Sequence, residues 1–152
     1  MSAMRRGGRG RSGIVKLVVD ANTIVGGLLF EGNEARLLEL GRLGVCELFT
    51  NENVRGEVRD VLARPHIGLS EEETRAALVL VDRWVTVLSD PPPNLISAVR
   101  GRVPDQGDLP VLAGFEHSGC DHLVTGDRRL RERIPRTITT RAALTLVLAD
   151  IG

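Results

Sequence analysis

Apolar residues fall along this chain in short blocks separated by stretches of helical spacing. Residues 14–19, Ile-Val-Lys-Leu-Val-Val, are apolar and β-branched with one interruption, the pattern of a strand buried on both faces, and the run stops at Asp20. A helix is predicted at 33–43, where Ala35, Leu37, Leu38 and Leu40 lie near helical spacing and Gly44 can end it. Further apolar blocks at 46–50, 85–89, 122–125 and 137–140 read as four more strands. Between them lie helical patterns at 52–63, ended by Pro65; at 71–83, opened by Ser70 and Glu73 as a capping box; at 109–117; and at 141–149. The segment 90–107, with three consecutive prolines, is the one long irregular stretch, broken by a short helical turn at 95–100.

Strands alternating with helices predict an α/β domain whose central sheet has about five strands, is mainly parallel and is covered on both faces, because parallel strands need crossovers. No internal repeat or second domain is visible. A chain of 152 residues with 42% apolar and 26% charged residues can bury a core without a disulfide or metal staple. Cys46 and Cys120, far apart and in no CxxC pair, read as small buried hydrophobes in a reducing, cytoplasmic setting. No apolar run approaches the roughly 20 residues of a membrane span, and residues 1–13 lack the apolar stretch of a signal peptide, so no membrane partner is expected.

The formal charge of zero hides an asymmetry. Arg5, Arg6, Arg9 and Arg11 precede the first acid, Asp20; without them the remaining chain carries 16 basic against 20 acidic residues. The Gly/Arg/Ser composition of 1–13 predicts a disordered arm, leaving 14–152 as the folded domain. Gly8, Gly10 and Gly13 match GxGxxG in form only, since the dinucleotide fingerprint follows a strand and these residues precede the first one.

Ligands of open parallel sheets bind beyond the carboxyl ends of the strands, which makes acids there informative. Asp20 ends the first strand and Asp127 follows the fourth; Asp108 lies just before the helix leading into that strand, with Asp105 as a competitor, and Glu57 sits on the helix after strand two. Each has a bland alternative: Asp20 and Asp108 as helix caps, Asp127 as a turn residue, Glu57 on a solvated face beside Arg55, Arg59 and Asp60. Four carboxylates gathered without a nearby lysine repel one another, and Lys16, the sole lysine, lies inside the first strand. Hard oxygen ligands with open positions suit Mg²⁺ or Mn²⁺, and the reaction class that follows is phosphodiester hydrolysis.

Other chemistries fit poorly. Asn22 stands where an aspartyl phosphotransferase needs its second acid, the chain has no GK[ST] phosphate loop, and His117, Cys120 and His122 offer three zinc ligands rather than four. Arg128, Arg129, Arg131 and Arg133 follow the fourth acid and are suited to phosphates, whereas 3% aromatic content leaves little for base stacking.

Taken together, these blocks resemble the PIN domain, a metal-dependent nuclease family that includes the VapC-like toxins of toxin–antitoxin pairs. The resemblance runs from about Leu17 to Leu148 and rests on Val18-Val19-Asp20-Ala21-Asn22-Thr23, on Glu57 to Pro65 (EVRDVLARP), on Gly107 to Ala113 (GDLPVLA), and on Leu123 to Leu130 (LVTGDRRL). It implies a three-layer α/β/α sandwich with the strands of Asp20 and Asp127 as neighbours. It also implies an endoribonuclease with Asp20, Glu57, Asp108 and Asp127 as catalytic acids, the three aspartates on Mg²⁺ or Mn²⁺, and Asn22, Thr125, Arg128 and Arg129 near the substrate. RNA and a cognate antitoxin are the implied partners, and apolar helix positions such as Ala77, Leu78 and Leu80 suit a homodimer. A stand-alone nuclease, or a PIN-like module that binds RNA or protein without cutting, is the alternative.

Overall fold

In the computed structural model, which describes residues 13–103 and 105–151, five strands pair in parallel. The predicted arm at 1–13 therefore lies, except for Gly13, outside the described residues. β1 (Lys16–Val19) is central; β2 (Glu47–Asn51) and β3 (Thr86–Leu88) extend the sheet to one side, β4 (His122–Val124) and β5 (Thr137–Ile138) to the other, giving the order β3-β2-β1-β4-β5. Eight α-helices among the described residues connect and cover the strands: α1 (Ala21–Leu29), α2 (Asn33–Arg42), α3 (Glu52–Leu62), α4 (Glu71–Trp84), α5 (Pro93–Ala98), α6 (Leu109–Ser118), α7 (Arg128–Arg133) and α8 (Thr140–Ile151). The result is the expected α/β/α sandwich. No helix among the described residues is long and apolar enough to cross a membrane.

The central strand explains its own sequence. Leu17, Val18 and Val19 are almost fully buried, so both faces of β1 lie under helices and the run cannot alternate with polar residues. Cys46 and Cys120 are free, buried thiols that join this core, and burial pushes Cys46 up to about 11, far from a reactive thiolate. The capping box of α4 forms as the sequence predicts: the Glu73 amide donates to the Ser70 hydroxyl at 3.0 Å and the Ser70 amide to the Glu73 carboxylate at 2.8 Å. On α4, Leu78 turns into the core and Ala77 is half-buried, while Leu80 is exposed.

α1 and α7 are the helices that pattern alone did not delimit, and α1 is the longer of the two. Its sequence, ANTIVGGLL, has no polar stripe and carries two consecutive glycines, each a poor helix former. It forms because Asp20 caps it, accepting the Thr23 amide at 2.8 Å, and because Ala21, Thr23, Ile24 and Val25 are buried in a helix packed against α2 and α3. Gly27 marks where α1 and α2 touch. A Cβ there would stand 2.4 Å from Leu38 Cδ1 and 2.9 Å from the Glu34 carbonyl oxygen, the latter a backbone atom that cannot swing away.

Gly27→Ala should therefore destabilise the protein by about 1–3 kcal/mol through overpacking. Gly26→Ala, whose Cβ meets only ordinary contacts at 3.5 Å, should be neutral or stabilising through the helix propensity of alanine. Urea midpoints of the two variants check this; equal midpoints would refute the close-approach account.

Candidate functional site

The strand order reverses at β1, with β2 on one side and β4 on the other, which opens a crevice at the carboxyl edge of the sheet. The β1–β4 register pairs Val19 with Val124, so the next residues, Asp20 and Thr125, leave the sheet side by side. Their backbones stay joined by a bond from the Asp20 amide to the Val124 carbonyl at 3.4 Å. The Thr125 side chain is 1% exposed; its hydroxyl donates a short hydrogen bond to Asp20 Oδ2 and accepts the Asp127 amide at 3.1 Å. Thr125, expected at the substrate, thus uses its hydroxyl on the protein's own acids.

Both strand-end aspartates cap helices while facing the crevice. Asp20 gives Oδ1 to α1, and Asp127 gives Oδ1 to α7, accepting the Arg129 amide at 2.9 Å and the Leu130 amide at 3.3 Å. The bland and the functional readings are therefore compatible. One carboxylate oxygen orients each side chain, and at Asp127 the other oxygen has no hydrogen-bond partner among the described residues.

Asp105 and Asp108 separate clearly. The Asp105 carboxylate is exposed and accepts the Gly107 amide at 2.9 Å, closing the short 3-10 turn Gln106–Asp108. Asp108 precedes α6 but makes no cap bond, and its Oδ2 is buried without a hydrogen-bond partner. Thr50 and Thr137 are the other described residues with such an atom, but theirs are neutral hydroxyls, whereas an orphaned carboxylate oxygen is far costlier. Burial, followed by repulsion from Asp127, Asp105, Asp20 and Glu57, pushes the Asp108 carboxyl up to about 6.

Glu57 reaches the same crevice from α3. The residue has an open surface overall, yet partial desolvation of its carboxyl and the charge of Asp20 raise it above the usual glutamate range, with Arg64, seven residues along, as the opposing influence. The other three sequence-predicted acids thus all act on Asp108, and Asp20 acts on Glu57 as well. Among the described residues, however, no three His, Cys, Asp or Glu side chains stand together as a group able to hold a metal ion. What the crevice offers is a set of hard oxygen donors, one of them buried and unpartnered, a donor chemistry that suits a hard divalent cation.

The remaining predicted residues lie at the rim. Asn22 is exposed in the first turn of α1; Arg128 is exposed and pairs with Glu132 at 3.1 Å; Arg129 is exposed. Arg131 behaves differently, since it is half-buried and donates to the Thr125 carbonyl at 3.1 Å. Sequence reasoning missed Asn51 altogether. It is 5% exposed at the end of β2, accepts the Val54 amide at 2.9 Å as the cap of α3, and donates to the Pro110 carbonyl at 3.1 Å, tying the helix of Glu57 to the helix that follows Asp108. A local signal existed, an asparagine between a strand and a helical pattern, but it reads as a cap only.

Comparison with known proteins places the chain in context. A family model described as PIN domain matches residues 16–129. No curated protein matches the chain in sequence. Among solved structures, PAE2754 from Pyrobaculum aerophilum is similar at 21% identity, covering 89% of this chain and 90% of its own, with a TM-score of 0.68. VapBC2 from Rickettsia felis, solved bound to a DNA fragment from its promoter, is similar at 15% identity, covering 82% and 97%, TM-score 0.64. VapC20 from Mycobacterium tuberculosis, a sarcin–ricin loop cleaving toxin, is similar at 17% identity, covering 76% and 93%, TM-score 0.55. At these identities the likeness is one of fold.

The raised Asp108 carboxyl has a direct consequence for stability. The folded protein holds that proton up to about pH 6, whereas an ordinary aspartate releases it near 3.8, so folded molecules bind the extra proton between these values and stability falls as pH rises through the window. Measured without divalent cations, the urea midpoint of Asp108→Asn should exceed that of wild type at pH 7–8 and converge with it below pH 4. Parallel pH profiles would overturn this assignment.

Proposed function

The chain belongs to the PIN domain family, and from that premise and the acid-lined crevice we propose that it is a divalent-metal-dependent endoribonuclease acting in the cytoplasm as the toxin of a toxin–antitoxin pair. The buried, unpartnered Oδ2 of Asp108 carries the reading, because a carboxylate raised by four acidic neighbours is destabilising unless cations or protons enter the site. Asp20, Asp108 and Asp127 would hold Mg²⁺ or Mn²⁺, which when bound would supply Lewis acidity to a phosphodiester and offset the repulsion.

The chain's own groups have distinct parts in this reading. Thr125 orients Asp20, and the α7 amides orient Asp127 through its Oδ1. Glu57, with its raised affinity for protons, is suited to accept one from an attacking water. Arg129 and Arg128 at the start of α7 stand beside Asp127 where charge-assisted bonds to RNA phosphates would seat the strand, and recognition through the backbone agrees with the shortage of aromatic residues. RNA as substrate and an antitoxin as partner are supported by the names of the two VapC-type neighbours, one of them a toxin that cleaves the sarcin–ricin loop.

The test is cleavage of a structured RNA by purified protein with Mg²⁺ or Mn²⁺. Activity should disappear with EDTA and fall by at least ~100-fold in Asp20→Asn and Asp108→Asn while both variants remain folded. Cleavage that persists in EDTA, or an Asp20→Asn variant that cuts like wild type, would end this reading.

A further inference from the structure

We propose that Arg131 is a positioning residue that sets the geometry of Asp20 and Asp127 by way of Thr125; in its cation-binding aspect the inference rests on the metal-dependent reading above. The starting observation is a carbonyl at the end of a sheet. β4 pairs with β5 through bonds from the Leu123 amide to the Arg136 carbonyl and from the Thr125 amide to the Ile138 carbonyl, each at 3.0 Å. There the ladder stops, because β5 ends at Ile138 and Thr140 already opens α8. The Thr125 carbonyl, on a residue 1% exposed, lies past the last rung, and the Arg131 guanidinium donates to it at 3.1 Å. A buried carbonyl at a strand end needs such a donor, and a fixed guanidinium supplies it with little rotational freedom left over.

The consequence spreads through one side chain. Thr125 is the residue whose hydroxyl bonds Asp20 Oδ2 and receives the Asp127 amide, so whatever holds the Thr125 backbone holds two of the three proposed cation ligands. Arg131 is on α7, the helix that Asp127 itself caps. Asp127, α7, Arg131 and Thr125 therefore form a closed loop of bonds: the carboxylate of Asp127 to the Arg129 and Leu130 amides, α7 to Arg131, Arg131 to the Thr125 carbonyl, and the Thr125 hydroxyl to the Asp127 amide. Its neighbours in the arginine run are placed differently. Arg128 is engaged with Glu132 at the surface, and Arg129 is exposed. The run that reads as one basic patch thus divides into surface cations and one internal brace.

Two measurements on the full chain test this. In the metal-free protein, amide hydrogen exchange at Asp127, Arg129 and Leu130 should accelerate severalfold in Arg131→Met, partly recover in Arg131→Lys, and stay unchanged in Arg141→Met, an exposed site on α8. In Mn²⁺ titrations followed by electron paramagnetic resonance, Arg131→Met should weaken binding by about tenfold, in the range that orienting partners of metal ligands command. If the brace acts through Thr125, Thr125→Val should weaken binding similarly and adding Arg131→Met to it should change little. Unchanged exchange at the three amides overturns the proposal whether or not the protein binds Mn²⁺, and so does wild-type Mn²⁺ affinity in Arg131→Met. A wild type that takes up no Mn²⁺ removes the metal-dependent reading instead, and the exchange data alone then decide the brace.

Discussion

Like charges at close range in a half-buried crevice destabilise one another, and this fold holds five carboxylates where each is felt at Asp108 or arises from it: Asp20, Glu57, Asp105, Asp108 and Asp127. They arrive from β1, α3, the turn before α6 and the end of β4, so no short segment could relax the strain by moving alone. What keeps Asp20 and Asp127 side by side is the parallel pairing of β1 with β4, sealed past its last rung by the Thr125 hydroxyl on Asp20. Both strands lie in the middle of the sheet under helices, and the almost complete burial of Leu17, Val19, Leu123 and Val124 supplies the apolar stabilisation against which the repulsion is set.

The division of labour between carboxylate oxygens follows from that constraint. Asp20 and Asp127 each use one oxygen to cap a helix, which fixes the side chain without help from a ligand. Asp108 makes no cap bond with its side chain, and its Oδ2 is left buried with no partner. The opposite flank is held by Asn51, whose two amide atoms connect α3 to the start of α6. Gly114 permits that contact, since a Cβ there would approach Asn51 Nδ2 to 2.7 Å. The crevice is thus framed by two buried polar side chains, Thr125 and Asn51, each at the end of a strand and each bonded across the chain.

Much of the fold is legible in the sequence. The five apolar blocks became five strands because a strand under helices on both faces admits few polar residues, and α2, α3, α4, α6 and α8 follow their apolar spacing and caps, whereas the short α7, with Leu130 as its single apolar residue, has no such pattern. α1 was not legible as a helix because its burial, rather than its periodicity, stabilises it, and the two glycines that argue against a helix answer the close approach of α2. The acids were legible as candidates by position. Which of Asp105 and Asp108 faces inward was not, because both precede the same helix and both are plausible caps until the backbone amide that one of them takes is known.

The sequence by itself determined the alternation of strands and helices, the parallel sheet and the placing of acids at strand ends, since each depends on local period or on residue type at a boundary. Only the tertiary structure decided which oxygens are bonded and which stand free, and that Arg131 turns inward while Arg128 and Arg129 stay at the surface. The reason is that these outcomes depend on hydrogen bonds between groups distant in the chain. Asp20 and Thr125 are 105 residues apart, and although the family resemblance implies that their strands are neighbours, no local pattern near either one states that the Thr125 hydroxyl bonds the Asp20 carboxylate.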